Sequence, residues 1–243
     1  FQNLQNPLET KKTSHLKLVP NLDQQSFESF KSFKNYEDLE FQPFHVGYGK
    51  KGKKFYKVPD RKQKKLIKYL HDNHFKTYID KLCHPHCFAY IEGKADQKLD
   101  LMKQYQSQFK HVLKFDIDSF YDSIDRTLLQ SMLVKIMPQQ NAEKIMKLTG
   151  LPALEKGVLT ERPLGIPGGL SFSNKLANLY LTEFDYWLTA QNISFVRYSD
   201  DYLIYDHDSE MLLQKFREIQ SWLWNNRKLR IKRSKTELDG KPV

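Results

Sequence analysis

The chain has 243 residues, 40% of them hydrophobic, which is enough for one core of ordinary size. A formal net charge of +10, from 39 Lys and Arg against 29 Asp and Glu, suits a polyanionic partner, with nucleic acid the first candidate. Two cysteines four residues apart give no disulfide framework, and neither a signal peptide nor an 18-residue apolar run is present, so a cytoplasmic protein with no membrane partner is expected.

Residues 1–42 are rich in Gln, Asn, Ser and Lys, and Phe27, Phe30, Phe33 and Tyr36 recur every three residues, which predicts an amphipathic helix in an N-terminal extension. From Phe44 to Pro59 aromatic and basic residues alternate around Gly47, Gly49 and Gly52, the pattern of a β-hairpin with a glycine-rich turn. Nine of the sixteen residues from Lys50 to Lys65 are Lys or Arg, interleaved with Phe55 and Tyr56. Such a stretch can bind phosphates, with Lys53, Lys57 and Arg61 as contacts; a solvated basic face is the plainer alternative. Helical patterns follow over about 60–80 and 96–108. Between them Cys83-His-Pro-His-Cys87, with His71 and His74 upstream, invites a zinc site. One five-residue turn could hardly aim Cys, His and Pro at a single ion, so these residues are read as structural.

The next apolar run, His111-Val-Leu-Lys-Phe-Asp116-Ile-Asp-Ser-Phe-Tyr121-Asp-Ser-Ile124, delivers Asp116 where the strand periodicity breaks. Helices are expected over about 126–137 and 142–148, and Ser173 is placed to cap a helix reaching Ala190. In Phe195-Val-Arg-Tyr-Ser-Asp-Asp-Tyr-Leu-Ile-Tyr205 two adjacent carboxylates, Asp200 and Asp201, interrupt an aromatic-rich strand pair. Ionised carboxylates are costly to bury unless paired or bound to metal, and a purely structural turn would favour Asn-Gly or Asp-Gly. Three carboxylates delivered by two strands can hold two Mg²⁺ ions roughly 3.5–4 Å apart, an arrangement suited to in-line displacement at phosphorus. Asp208 then caps a helix to about Arg227, whose Met211, Leu212, Phe216, Ile219 and Leu223 form one apolar face, before a final strand at 229–233. The order predicts an α+β fold with a small antiparallel sheet backed by helices.

These segments resemble the reverse transcriptase family. The segment around Asp116 matches its palm motif A, Tyr198-Ser-Asp-Asp201 its motif C, Gly165-Ile-Pro-Gly-Gly-Leu-Ser-Phe-Ser173 its motif B, and the Lys235-Thr pair its motif D. The resemblance covers roughly 44–238 and implies a right-hand polymerase: an extension over 1–43, fingers over 44–110 and a palm over 111–243, with the family's helical thumb absent from these residues and expected either after them or from a partner subunit. It implies catalysis by Asp116, Asp200 and Asp201, with the Ile117 carbonyl as a further ligand to Mg²⁺, for which Mn²⁺ can substitute. Tyr121, five residues after Asp116, falls where the family places a ring beneath the incoming sugar, and an aromatic there implies use of dNTPs. Lys54 in Lys54-Phe-Tyr-Lys-Val-Pro59 resembles the basic residue over the triphosphate, although Lys lacks the bidentate fork of the usual Arg. Gly169 and Lys235 are implied nucleotide contacts, and Lys94 in Phe88-Ala-Tyr-Ile-Glu-Gly-Lys94 a template contact. Gly168 stands where many relatives carry Gln, and Gly169-Leu-Ser-Phe-Ser173 is closest to abortive-infection and other bacterial defence-associated members. The implied partners are an RNA template, noncoding in kind, a DNA product, dNTPs and a protein partner or second copy. Template-independent or protein-primed DNA synthesis is the rival activity, and a catalytically silent RNA-binding scaffold the rival of another class.

Overall fold

The computed structural model describes residues 40–52 and 54–243. The expected helix around Phe27 to Tyr36 and the phosphate contact Lys53 lie outside the described residues. The first sheet has four strands in the order β2-β1-β4-β5: β1 (Phe44–Tyr48), β2 (Lys54–Lys57), β4 (Ala153–Glu155) and β5 (Val158–Thr160). The β1–β2 hairpin pairs Tyr48 with Lys54, and β1 runs parallel to β4. The β4–β5 hairpin has no counterpart among the elements expected from sequence; its strands are three residues long and β5 is fully exposed, so no alternation marks them.

The second sheet is antiparallel, ordered β6-β7-β3-β8-β9, from β3 (His111–Asp116), β6 (Ser194–Tyr198), β7 (Asp201–Asp206), β8 (Glu237–Leu238) and β9 (Lys241–Pro242). Alternation along β3 sends Leu113 and Phe115 into the core and leaves Lys114 exposed. Phe115 stacks on Tyr202 at 5.0 Å between centroids and meets Phe216 at 5.8 Å.

Two long helices back this face. The helix Ser171–Ala190 and the helix Ser209–Arg227 bury Phe172, Leu176, Tyr180 and Phe184, and Leu212, Phe216, Ile219 and Leu223, respectively. In chain order the helices are α1 (Arg61–Leu70), α2 (Lys76–Leu82), α3 (Ala95–Gln108), α4 (Phe120–Ser123), α5 (Arg126–Leu133), α6 (Gln139–Thr149), α7 (Ser171–Ala190) and α8 (Ser209–Arg227). Asp208 caps α8 as expected, its Oδ1 accepting from the Glu210 and Met211 amides at 2.7 and 3.1 Å. On the sheet's other face α3 covers Val196 and Tyr205 with Leu101, Met102 and Tyr105.

Three local expectations are corrected. The helix expected over 60–80 is divided by a π-helical turn, His71–Phe75. Helix α7 starts at Ser171, so Ser173 lies inside its first turn with a buried hydroxyl, and the extended Leu170 caps without a side-chain bond. The strand expected at 229–233 shrinks to one bridge, Ile117 with Ile231, because its partner strand β3 ends at Asp116.

Candidate active site

The register of β3 on β7 sets Asp116 directly opposite Asp201, and Asp200 lies in the turn between β6 and β7. Directly opposed residues hold their side chains on one face. The turn itself needs a left-handed Ser199, with φ at 61°. The Ile117 amide donates to the Asp200 carbonyl at 3.3 Å, which ties the end of β3 to the turn. The segment after α8 closes the other side: the Asp118 amide donates to the Arg230 carbonyl and the Lys232 amide to the Asp116 carbonyl, both at 2.8 Å.

Asp116 is 5% exposed. Burial, and then the facing Asp116 carboxylate, push the Asp200 carboxyl above the ordinary aspartate value of 3.8. The Lys235 ammonium rests against Asp116 Oδ2, and this hydrogen bond raises its own pKa. Among the described residues no three His, Cys, Asp or Glu side chains come together closely enough to hold an ion unaided. The donor chemistry at 116, 200 and 201 is nonetheless that preferred by a hard divalent cation: carboxylate oxygen, without sulfur or imidazole.

Beside the acids opens a cleft of about 460 Å³, lined among others by Lys54, Tyr56, Tyr121, Gly169, Asn174 and Asp200. Two chain crossings shape it. The Gly165 amide donates to the Ile124 carbonyl and the Ile166 amide to the Tyr121 carbonyl, binding the glycine loop to the loop after β3. Gly165 has φ +79°, and a Cβ there would sit 2.7 Å from Asp122 Cα, so no other residue fits. The Tyr56 amide donates to the Gly168 carbonyl at 3.2 Å, fastening the β1–β2 hairpin over the loop. Gly169, at φ +90°, faces Phe55, whose Cβ would lie 3.3 Å from an added Cβ.

Of the expected nucleotide contacts, Lys54, Tyr121 and Gly169 line this cleft, whereas Lys235 stands at the acids. Lys54 lies 3.7 Å from Glu155 and 5.3 Å from the Tyr56 ring centroid. Lys57 and Arg61 are exposed, on β2 and at the start of α1. Lys94 spends its ammonium on the Pro85 carbonyl at 3.2 Å. Cys83 and Cys87 are buried free thiols; His84 meets the Thr189 hydroxyl through Nε2 at 2.9 Å and accepts the His86 amide on Nδ1.

Sequence reading missed the polar network beneath the acids. Arg197 is fully buried; its Nε and Nη2 grip the Asp185 carboxylate of α7 at 2.7–3.0 Å, and its Nη1 reaches Asn178 Oδ1 at 2.9 Å and the Ser199 carbonyl at 3.1 Å. The Tyr202 hydroxyl donates to Asp185 at 2.9 Å, and Asn178 Nδ2 to the Ala89 carbonyl at 2.9 Å. Burial opposes the Arg197 charge, but the Asp185 carboxylate together with Cys87 and Tyr202 more than offsets it and holds the guanidinium protonated. Nearby, Lys175 is 3% exposed and bonds both Asp80 oxygens at 2.6 and 2.7 Å and the Tyr90 carbonyl at 2.5 Å. The available signal was a charge on a buried phase: Arg197 within a strand, Lys175 and Asp185 within an apolar helix.

Three comparisons bear on this arrangement. No curated protein matches the sequence. The solved structure of telomerase from Candida albicans, in complex with the TWJ fragment of telomeric RNA, superposes with a TM-score of 0.61 at 12% identity. It aligns with 84% of this chain, which spans 44% of the length of that protein, and establishes a shared α+β polymerase fold. The family model for reverse transcriptase (RNA-dependent DNA polymerase) matches residues 49–241, from just after β1 onward and including all the residues of the cleft and acid cluster, and the chain belongs to that family.

Proposed function

We propose that this chain is the fingers and palm of an RNA-templated DNA polymerase, with β1, β2 and α1–α3 as fingers over 44–110 and the second sheet, the β4–β5 hairpin and α4–α8 as palm over 111–243. The observation that carries the reading is the register that opposes Asp116 to Asp201, with Asp200 in the adjoining turn, at one end of a cleft that also presents Lys54 and Tyr121. Asp116 and Asp200 are the principal ligands of two Mg²⁺ ions, Asp201 and the Ile117 carbonyl their support, and the ions when bound supply activation of a 3′-hydroxyl and neutralisation of the leaving pyrophosphate. The chain's own part is positional. Lys54 attracts the triphosphate, Gly169 lets it approach the backbone, and Tyr121 fills the space beside the sugar so that a 2′-hydroxyl is excluded. Lys235 balances the charge of Asp116. Lys57, Arg61 and Lys53 bind template phosphates.

The narrower affiliation, with bacterial defence-associated members acting in the cytoplasm on a noncoding RNA, is supported by Gly169-Leu-Ser-Phe-Ser173 alone. No helix among the described residues is long and apolar enough to cross a membrane. The test is extension of a primer on an RNA template with dNTPs. Asp116→Ala and Asp200→Ala should each abolish incorporation while the fold survives, and Asp201→Ala should leave a trace. Incorporation near wild type in either of the first two variants would remove the two-metal assignment.

A further inference from the structure

The Tyr121 hydroxyl donates to Asn174 Oδ1 at 2.8 Å. We propose that Asn174 is a positioning residue for sugar selection, fixing the Tyr121 ring in the attitude that excludes a 2′-hydroxyl. This deepens the reading of Tyr121 as the sugar gate and rests on it. A gate works by steric exclusion only if its ring cannot turn aside. Tyr121 belongs to the four-residue helix α4, entered through Ser119 in the left-handed region at φ 45° and tied to the glycine loop by the Ile166 amide, which fixes its backbone but not the turn of its ring. One flank of the ring also lacks a confining side chain, since Gly168 lies there; a Cβ added to Gly168 would sit 3.7 Å from Tyr121 Cβ and Cγ. The ring packs against the core and meets Phe120 edge to face at 5.6 Å, and the phenolic hydroxyl adds the directional tie.

Asn174 is well placed to hold it. It sits in the first turn of the 20-residue helix α7, and the next residue, Lys175, is locked between Asp80 and the Tyr90 carbonyl. A side chain on such an element is held more firmly than one on a loop. Burial, with Tyr90 alongside, pushes the Tyr121 pKa well up, so the hydroxyl stays protonated and remains a donor. Ser199, the residue before Asp200, lines the same cleft, so the ring stands between the helix and the acid turn.

The experiment compares kcat/KM for matched dNTP and NTP pairs in Asn174→Ala, Tyr121→Phe and the double variant, with Tyr121→Val as control. Loss of this hydrogen bond should raise the NTP-to-dNTP ratio about threefold to tenfold in either single variant, and in Asn174→Ala, where only ring orientation is touched, dNTP kcat/KM should stay within about twofold. Tyr121→Phe removes the donor of the bond whose acceptor Asn174→Ala removes, so the double should show no more than Tyr121→Phe alone. A wild-type ratio in Asn174→Ala and Tyr121→Phe, with a raised ratio in Tyr121→Val, would overturn the lock and leave the gate standing. A wild-type ratio in Tyr121→Val would overturn the gate and the lock with it. Equal losses for dNTP and NTP in Asn174→Ala would assign that residue to general nucleotide binding instead.

Discussion

The floor of the cleft and its roof are built in opposite ways. Under the floor, the turn carrying Asp200 is held by a fully buried guanidinium with five hydrogen bonds to Asp185, Asn178 and Ser199, and by a stacked Phe115–Tyr202 pair. Over the cleft, the β1–β2 hairpin exposes Tyr48, Lys54 and Lys57, and among the described residues one backbone bond, from the Tyr56 amide to the Gly168 carbonyl, ties it to the glycine loop. Acids that repel each other need a rigid seat, because any play lets them move apart. A hairpin that must admit and release a triphosphate needs little beyond charge and a hinge. Substitutions in the floor should therefore register as stability, and substitutions in the roof as binding.

The sharpest way to break that comparison is Arg197→Met. It leaves Asp185 buried without a counter-charge and should cost about 3–5 kcal/mol, measured by urea unfolding; pairing it with Asp185→Leu should recover most of the loss. A small effect of the single change would mean that the floor is no firmer than the roof.

A second, opposite effect belongs to Asp200 itself. Its folded carboxyl titrates above the ordinary 3.8, so at neutral pH its ionised form costs stability, and that cost disappears as pH falls through the folded value toward 3.8. Without divalent cations, Asp200→Asn should raise Tm by about 2–4 °C at pH 7.5, an effect on the order of 1 kcal/mol. The gain over wild type should fade as pH approaches 4. Scanning calorimetry of both proteins across that range checks it.

The smallest change in stability is expected in the roof. Neutralising Lys53, Lys57 and Arg61 together should leave Tm within about 1 °C. It should also flatten the dependence of log affinity for an RNA template on log salt by about 2, because three phosphate contacts release fewer counterions when lost. An unchanged slope would make the cluster a solvated surface.

How much of this was legible in the sequence follows the same division. Strand β3, the acid-bearing hairpin and the Asp208 cap were readable because each is encoded within a dozen residues, by alternation or by a capping side chain. The β4–β5 hairpin was not, since its strands are too short to show a period and one is exposed along its whole length. Ser173 illustrates the opposite error. It has the chemistry of a cap, but the glycine loop feeds the helix two residues earlier and tertiary packing buries the hydroxyl. The partnership of Arg197 with Asp185, and that of Tyr121 with Asn174, joins elements 12 and 53 residues apart, and nothing local to either residue names the other.

The Arg197–Asp185 pair also restricts how this sequence can change over generations. Each partner alone is a poor residue for its position, and replacing either first passes through a chain with an unpaired buried charge. Gradual drift at one site is thereby closed off. The two positions are expected to be inherited as a unit, together with Tyr202 and Asn178, which bond the same groups, so that Asp200 keeps its seat, whereas the lysines of the exposed hairpin are constrained by binding and not by stability.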